Sequence, residues 1–81
     1  DPFPGNETRI GETPLKIWRA HVVPSDDPQP PGTVLEAGPR LLVRCGQQAL
    51  AIDQLQKPGG RRLTAAEFLR GTQLERGTRL A

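Results

Sequence analysis

Three cations flank a glycine turn in the second half of the chain, and they are the residues best suited to chemistry. Lys57 precedes Pro58-Gly59-Gly60, and Arg61 and Arg62 follow directly. Lysine and arginine in this arrangement predict contact with phosphate oxygens, which both bind through charged hydrogen bonds. The turn lacks the spacing of a nucleotide-binding P-loop, because its lysine precedes the glycines. We therefore expect the glycines to serve the fold and the cations to contact a polyanion.

Charge is unevenly distributed along the chain, although the net charge is only +2. Residues 1–39 contain three cations and six carboxylates, whereas residues 40–81 contain eight cations and three carboxylates. A basic half is typical of proteins that bind phosphate-bearing partners. Arg40 and Arg44, on the outward face of one predicted strand, would extend a positive patch if the fold brings them close to the turn. Two alternatives stay open: a solvated arginine-rich surface, or arginines of the turn that pair only with the acidic half.

Catalytic and metal-ligating constellations are not evident in the sequence. His21 and Cys45 are the single histidine and the single cysteine, and nothing in the sequence brings them together as a thiolate pair. Cys45 shares the apolar face of its predicted strand, which indicates a buried, unreactive thiol. A lone histidine with the loop carboxylates Asp26 and Asp27 is a weak metal-site pattern. We therefore predict no catalytic residue, bound metal or internal disulfide in this chain.

The residues after the turn predict a short helix over 64–71, which would hold the turn in place. Thr64 and Glu67 have the spacing of a capping box, and Phe68 completes a hydrophobic staple with the leucine before the cap. Gly71 is expected to end the helix in the left-handed conformation. A helix this short is marginal by itself, so its apolar face must pack on other elements.

Alternating apolar residues predict short strands between residues 14 and 56, after an extended leading segment of residues 1–10. The strand over 14–23 changes the face on which its apolar residues lie, which requires a bulge of the kind that curls a barrel. A second change of face is expected within 48–56, and Trp18 is assigned to the core. The sequence thus predicts a mainly β fold, a small OB-like open barrel with one short α-helix. A β-sandwich would need more strands, and the prolines exclude a helical bundle.

The 81 residues suffice for one small domain, in which the polar tail 72–81 is anchored by Leu74 and Leu80. The chain begins with Asp1 and has neither a signal-peptide pattern nor an apolar run near the roughly 18 residues that a membrane span needs. We expect a piece of a longer cytoplasmic protein that makes no membrane contact and is a monomer.

Short segments through nearly the whole chain form an ordered set. They are Phe3-Pro4-Gly5, Leu15-Lys16-Ile17-Trp18-Arg19-Ala20, Pro31-Gly32-Thr33-Val34, Val43-Arg44-Cys45-Gly46, Gly60-Arg61-Arg62 and Phe68-Leu69-Arg70-Gly71. In this order and spacing they resemble the C-terminal domain of the methionyl-tRNA formyltransferases. That family transfers a formyl group from 10-formyltetrahydrofolate to the methionine amino group of initiator tRNA, and its C-terminal domain is an OB-like barrel.

The resemblance implies an accessory domain that helps to hold initiator tRNA and follows an N-terminal catalytic domain in the same chain. The family's catalytic residues and its 10-formyltetrahydrofolate belong to that other domain. The present segment is therefore expected to bind no cofactor and to have no activity by itself, although its parent would be a transferase. The resemblance adds two cations to the candidate RNA contacts, which become Lys16, Arg19, Arg40, Arg44, Lys57, Arg61 and Arg62.

The expected RNA contact is with phosphates rather than bases. Aromatic residues are limited to Phe3, Trp18 and Phe68, whereas binding of single strands usually stacks bases on several exposed rings. A folded RNA recognised by its shape and backbone fits this composition better. Residues 24–32 form a proline-rich loop. Its carboxylates, Asp26 and Asp27, depart from the family pattern and make that loop an unsuitable RNA contact. The alternative is a scaffold domain of a related formyltransferase that acts on a small molecule and binds no RNA.

Overall fold

The computed structural model describes residues 7–80. These residues form one curled antiparallel sheet and one short helix, joined by loops. The elements in chain order are β1 (Glu7–Ile10), β2 (Thr13–Val23), β3 (Val34–Ala37), β4 (Leu41–Cys45), β5 (Gln48–Gln56), β6 (Leu63–Thr64) and α1 (Ala65–Gly71). The strand order is β1-β2-β5-β4-β3, with β6 paired to β5. The sheet curls into an open half-barrel, which confirms the predicted OB-like fold with one helix. Residues 1–6 of the predicted leading segment, Phe3 included, lie outside the described residues.

Both predicted changes of face occur at one point, where β2 and β5 pair in the middle of the sheet. The ladder steps over Trp18 on β2 and over Asp53 on β5, and on either side of this double bulge the strands keep the same register. Leu55 consequently reaches the same core as Ile52, although the two are three positions apart, an odd number that would place them on opposite faces of a regular strand. Paired bulges add local coil to a sheet, so this is the point at which the sheet bends around its core.

The main core lies inside the curl. Phe68, on α1, is the largest fully buried side chain and is only 1% exposed. It brings the helix against β5 and β6, and full burial of such a side chain stabilises the fold by roughly 1.5–3 kcal/mol. The other buried core residues are Leu15, Ile17, Val34, Leu41, Val43, Leu50, Ile52, Leu55, Ala65 and Leu80.

Helix α1 begins as the sequence predicts and ends differently. Thr64 Oγ1 accepts a hydrogen bond from the Glu67 backbone at 3.2 Å, and Glu67 Oε1 accepts one from the Thr64 backbone at 2.9 Å. The prediction of a left-handed Gly71 is wrong: Gly71 is the last helical residue and has no positive φ. The chain leaves through Thr72 in an extended conformation (φ −134°, ψ 122°). It therefore runs straight into the tail and needs no left-handed reversal.

The tail after α1 forms a further edge beside β3. The Val34 backbone donates to the Thr78 carbonyl at 2.8 Å, and Leu80 donates to the Gly32 carbonyl at 2.7 Å. Leu80 is buried and Leu74 packs against the core, as the sequence predicts. The tail thus covers one open side of the half-barrel. Within residues 7–80 no helix is long and apolar enough to cross a membrane.

Candidate functional site

Trp18 lies on the surface of the described residues with two cations, Lys16 and Arg62, over its ring. The prediction that Trp18 belongs to the core is wrong: the bulge removes it from the ladder, and 41% of the residue is exposed. Its indole Nε1 donates to Oε1 of Gln56 at 2.7 Å. Lys16 Nζ lies 4.2 Å from the ring centroid, and Arg62 Cζ lies 3.9 Å from it. We call Lys16, Trp18, Gln56 and Arg62 the tryptophan cluster.

The ring brings two like charges into one small area. The two centroid distances place the charges of Lys16 and Arg62 no further apart than about 8 Å, close to the Debye length at physiological ionic strength of about 8 Å. Two unit charges at that separation repel each other by roughly 0.5 kcal/mol in water. A cation over an exposed aromatic ring gains about 0.5–1 kcal/mol, so the indole can offset the repulsion. The two charges therefore form one compact positive site on the ring.

The loop between β5 and β6 is fixed to the sheet by the Gln56 side chain. Gln56 Nε2 donates to the Gly60 carbonyl at 2.6 Å, so one amide links the indole to the loop. The Gly60 backbone donates in turn to the Lys57 carbonyl at 3.1 Å, and Gly59 has φ +74°. The glycines thus shape the turn, as expected, and Arg62 follows it back to Trp18.

Lys57 borders the tryptophan cluster on the other side of Gln56. It is half-buried, and its Nζ lies 5.4 Å from the Phe68 ring centroid. An open groove of about 370 Å³ joins it to the cluster. The groove is lined by Glu7, Pro14, Lys16, Gln56, Lys57, Pro58 and Gly59.

Arg61 extends the basic surface into solvent. Its side chain is 75% exposed, and Nη2 lies 3.5 Å from Oε2 of Glu67. The Thr64 hydrogen bonds and the nearby Arg61 guanidinium hold the pKa of the Glu67 carboxyl below its usual range. A pair this exposed is weak and readily opened by salt or by a polyanion. Glu67 belongs to the basic half of the sequence, so Arg61 is not paired with the acidic half.

Arg19 lies next to the tryptophan cluster in the chain, whereas Arg40 and Arg44 lie two strands away, at β4. Arg19 directly follows Trp18 and is exposed. Arg40 and Arg44 are separated from β2 by β5. Arg40 pairs with Glu36 at 3.3 Å, while Arg44 is half-buried. The fold therefore places Lys16 and Arg62 over the Trp18 ring, and it places Lys57 on the groove that Lys16 and Gln56 also line. Arg61 lies in the same loop as Arg62 but contacts Glu67, whereas Arg40 and Arg44 lie on another part of the sheet.

Arg44 and Arg76 attach the proline-rich loop to the part of the sheet formed by β3 and β4. Arg44 Nη1 donates to the Ser25 carbonyl at 3.2 Å. Arg76 donates to the Leu35 carbonyl at 2.8 Å and to Oδ2 of Asp27 at 2.9 Å. This last bond holds the pKa of Asp27 below its usual range. Sequence reasoning missed Arg76, because its partners lie 41 and 49 residues away and no local pattern marks them.

The histidine and the cysteine lie in different environments. His21 Nδ1 lies 2.8 Å from Oδ2 of Asp53; the His21 side chain is 61% exposed and the Asp53 side chain 40%. Cys45 is half-buried and packs against the main core. Residues 7–80 contain no group of three or more histidine, cysteine or acidic side chains placed to hold a metal ion.

Comparison with known proteins gives one consistent family. Residues 1–73 match the family described as "Formyl transferase, C-terminal domain". A methionyl-tRNA formyltransferase of Burkholderia pseudomallei (strain 668) is 48% identical over 82 residues, which is 100% of this chain and 25% of the relative. Its counterpart from Janthinobacterium sp. (strain Marseille) is 48% identical over 77 residues, covering 93% of this chain and 24% of the relative. The chain thus spans about a quarter of the length of the curated relatives that it matches.

Proposed function

Because the chain belongs to the formyl transferase C-terminal domain family, we propose that it is the tRNA-binding C-terminal domain of a methionyl-tRNA formyltransferase. The whole enzyme transfers a formyl group from 10-formyltetrahydrofolate to the methionine amino group of initiator tRNA. An N-terminal catalytic domain of the same chain binds the folate and performs the reaction. The protein acts as a monomer in the cytoplasm.

The observation that carries the proposal is the pair of cations over the Trp18 ring, with Lys57 on the adjoining groove and Arg61 exposed in the same loop as Arg62. Cations grouped in this way attract phosphates by an electrostatic contribution that does not depend on sequence. Phosphate contacts fix the register and orientation of a nucleic acid without reading its bases. The domain therefore holds the body of the tRNA, while the acceptor end reaches the catalytic domain.

The salt dependence of binding tests the proposal. The 81-residue chain is titrated with initiator tRNA at several salt concentrations. If four cations each contact a phosphate, log K falls with log salt with a slope of roughly −2.8 to −3.6, since each contact contributes about 0.7–0.9. No binding at low salt, or a flat salt response, would contradict RNA binding and leave the scaffold role.

A matched pair of double variants locates the contact. Arg61→Ala with Arg62→Ala should reduce the salt slope by about 1.4–1.8, because two contacts are lost. Arg40→Ala with Arg79→Ala removes the same charge from exposed positions in the β3 and β4 region and should leave the slope nearly unchanged. Equal effects of the two double variants would show that only net charge matters. Thermal unfolding of each variant checks that the fold is retained.

A further inference from the structure

The tryptophan cluster joins segments that are far apart in the sequence. Lys16 and Trp18 lie on β2, Gln56 ends β5, and Arg62 lies in the loop that leads to β6. Gln56 bonds to both the indole and the Gly60 carbonyl, and both cations lie over the ring. A solvent-exposed tryptophan thus has its hydrogen-bond donor satisfied and its π surface in contact with charge. This arrangement needs a physical reason, because an exposed indole does not stabilise a core.

We propose that Trp18 is a positioning residue that holds Lys16 and Arg62 in place for neighbouring phosphates of one RNA strand. This inference rests on the proposed function and assigns within it a role that the charges by themselves do not define. Lysine and arginine side chains are long and have many rotamers, and each must be ordered when it binds. The indole orders both before RNA arrives, so less entropy is lost on binding.

The same geometry disfavours direct base stacking on Trp18. A base that stacks on the ring must first displace a cation lying 3.9 or 4.2 Å from the centroid. Base recognition by stacking usually employs several exposed rings. Phe68, the other aromatic residue among residues 7–80, is only 1% exposed. Trp18 therefore acts on RNA through its two cations.

A double-mutant cycle on the 81-residue chain separates these roles. In the otherwise unaltered chain, Trp18→Leu should weaken binding of initiator tRNA by about 5- to 100-fold. The reason is that ordering one long side chain on binding lowers the affinity by a factor of roughly 2–12, and two such side chains are involved. The salt slope should stay unchanged, because both cations are still present. In a Lys16→Gln, Arg62→Gln background the same substitution should have no further effect. Trp18→Phe should recover part of the affinity, because phenylalanine keeps an aromatic face for the cations.

Two results of this cycle would overturn the inference. An effect of Trp18→Leu that persists without the two cations would mean that the ring contacts RNA itself. A salt slope that falls by a full contact, about 0.7–0.9, would mean that the freed side chain no longer reaches RNA. Thermal unfolding of the variants distinguishes both results from loss of the fold.

A measurement without RNA tests the geometry itself. Trp18 is the single tryptophan of the chain, so its fluorescence reports on this site directly. Cations over the ring should concentrate iodide and repel caesium, so the ratio of iodide to caesium quenching should fall in the Lys16→Gln, Arg62→Gln variant. An unchanged ratio would overturn the inference and leave tRNA binding intact as a proposal. Failure of the unaltered chain to bind tRNA would instead overturn the proposed function, and this inference with it.

Discussion

Gly32 is the position at which a single methyl group should most damage the fold without removing a side-chain contact. Its φ is +88°, and a Cβ atom built there would lie 2.8 Å from the Leu80 carbonyl oxygen, a backbone atom that cannot rotate away. The Gly32 carbonyl also accepts the Leu80 backbone hydrogen bond at 2.7 Å. Gly32→Ala should therefore strain the turn and push the tail away from β3 at the same time.

The expected loss has three parts. A left-handed conformation costs a residue with a Cβ roughly 1–2 kcal/mol. Loss of one backbone hydrogen bond costs about 0.5–1.5 kcal/mol. Leu80, only 6% exposed, would lose part of a burial worth about 1.5–3 kcal/mol. We expect a total loss of about 2–4 kcal/mol, a large share of the roughly 4–12 kcal/mol typical of a domain this size.

Thermal unfolding followed by circular dichroism measures the effect against two matched variants. Gly46→Ala has the backbone strain without the clash, since φ is +59° and no atom lies within 4 Å of the added Cβ. Gly38→Ala has neither. At about 4–8 °C per kcal/mol, Tm should fall by roughly 8–32 °C for Gly32→Ala, less for Gly46→Ala and little for Gly38→Ala. If Gly32→Ala and Gly46→Ala lowered Tm equally, contact with the tail would contribute nothing and the reasoning would be refuted.

Three further predictions concern the core, acid stability and the proline-rich loop. Phe68→Ala should lower the free energy of unfolding, measured in urea, by about 3–5 kcal/mol because it leaves a cavity. Leu69 is half-buried, so Leu69→Ala should lower it clearly less. Equal losses would mean that the helix does not pack on the core through Phe68. The lowered pKa values of Asp27 and Glu67 mean that their contribution to stability is complete above the unfolded values of 3.8 and 4.5 and is lost as pH falls through the folded ones. Glu67→Gln should therefore flatten the decline in Tm below pH 4.5, and a decline as steep as in the unaltered chain would count against the capping box. Arg76→Ala should speed proteolysis within the loop 24–32, because it removes the bonds to Asp27 and to β3; unchanged cleavage would show that the loop is held by other contacts.

Local signals in the sequence account for the parts of the fold that were predicted correctly. The capping box depends on residues three positions apart, so Thr64 and Glu67 predict it without tertiary information. The two changes of face in β2 and β5 were visible as breaks in a period of two, because each strand must keep its apolar residues on the core. The end of the helix was predicted wrongly, since Gly71 is compatible with a left-handed stop but does not require one.

At the candidate site, by contrast, the sequence predicted less and the tertiary structure decided more. Its cations were identifiable by type and by their place next to a turn, yet their grouping was not. Trp18 was assigned to the core because tryptophan is usually well buried, and only the pairing of β2 with β5 leaves it outside the ladder. Arg44 was indistinguishable in sequence from a surface cation, but its contact with Ser25 reaches across 19 residues to hold a loop.

The sequence by itself determined β2 to β5, the helix start, the turn and the positive charge, because each depends on residues close together in the chain. It did not predict β1 and β6, which are four and two residues long and lie outside residues 14–56. The tertiary structure alone decided which cations meet. Lys16, Trp18 and Arg62 come together only because the strands pair antiparallel and the Gln56 amide connects β2 to the loop before β6. The attraction between a cation and an aromatic ring acts over a few ångströms of space, whatever the separation in sequence. The sequence therefore supplies the residues of this surface, and the pairing of the strands brings them into contact.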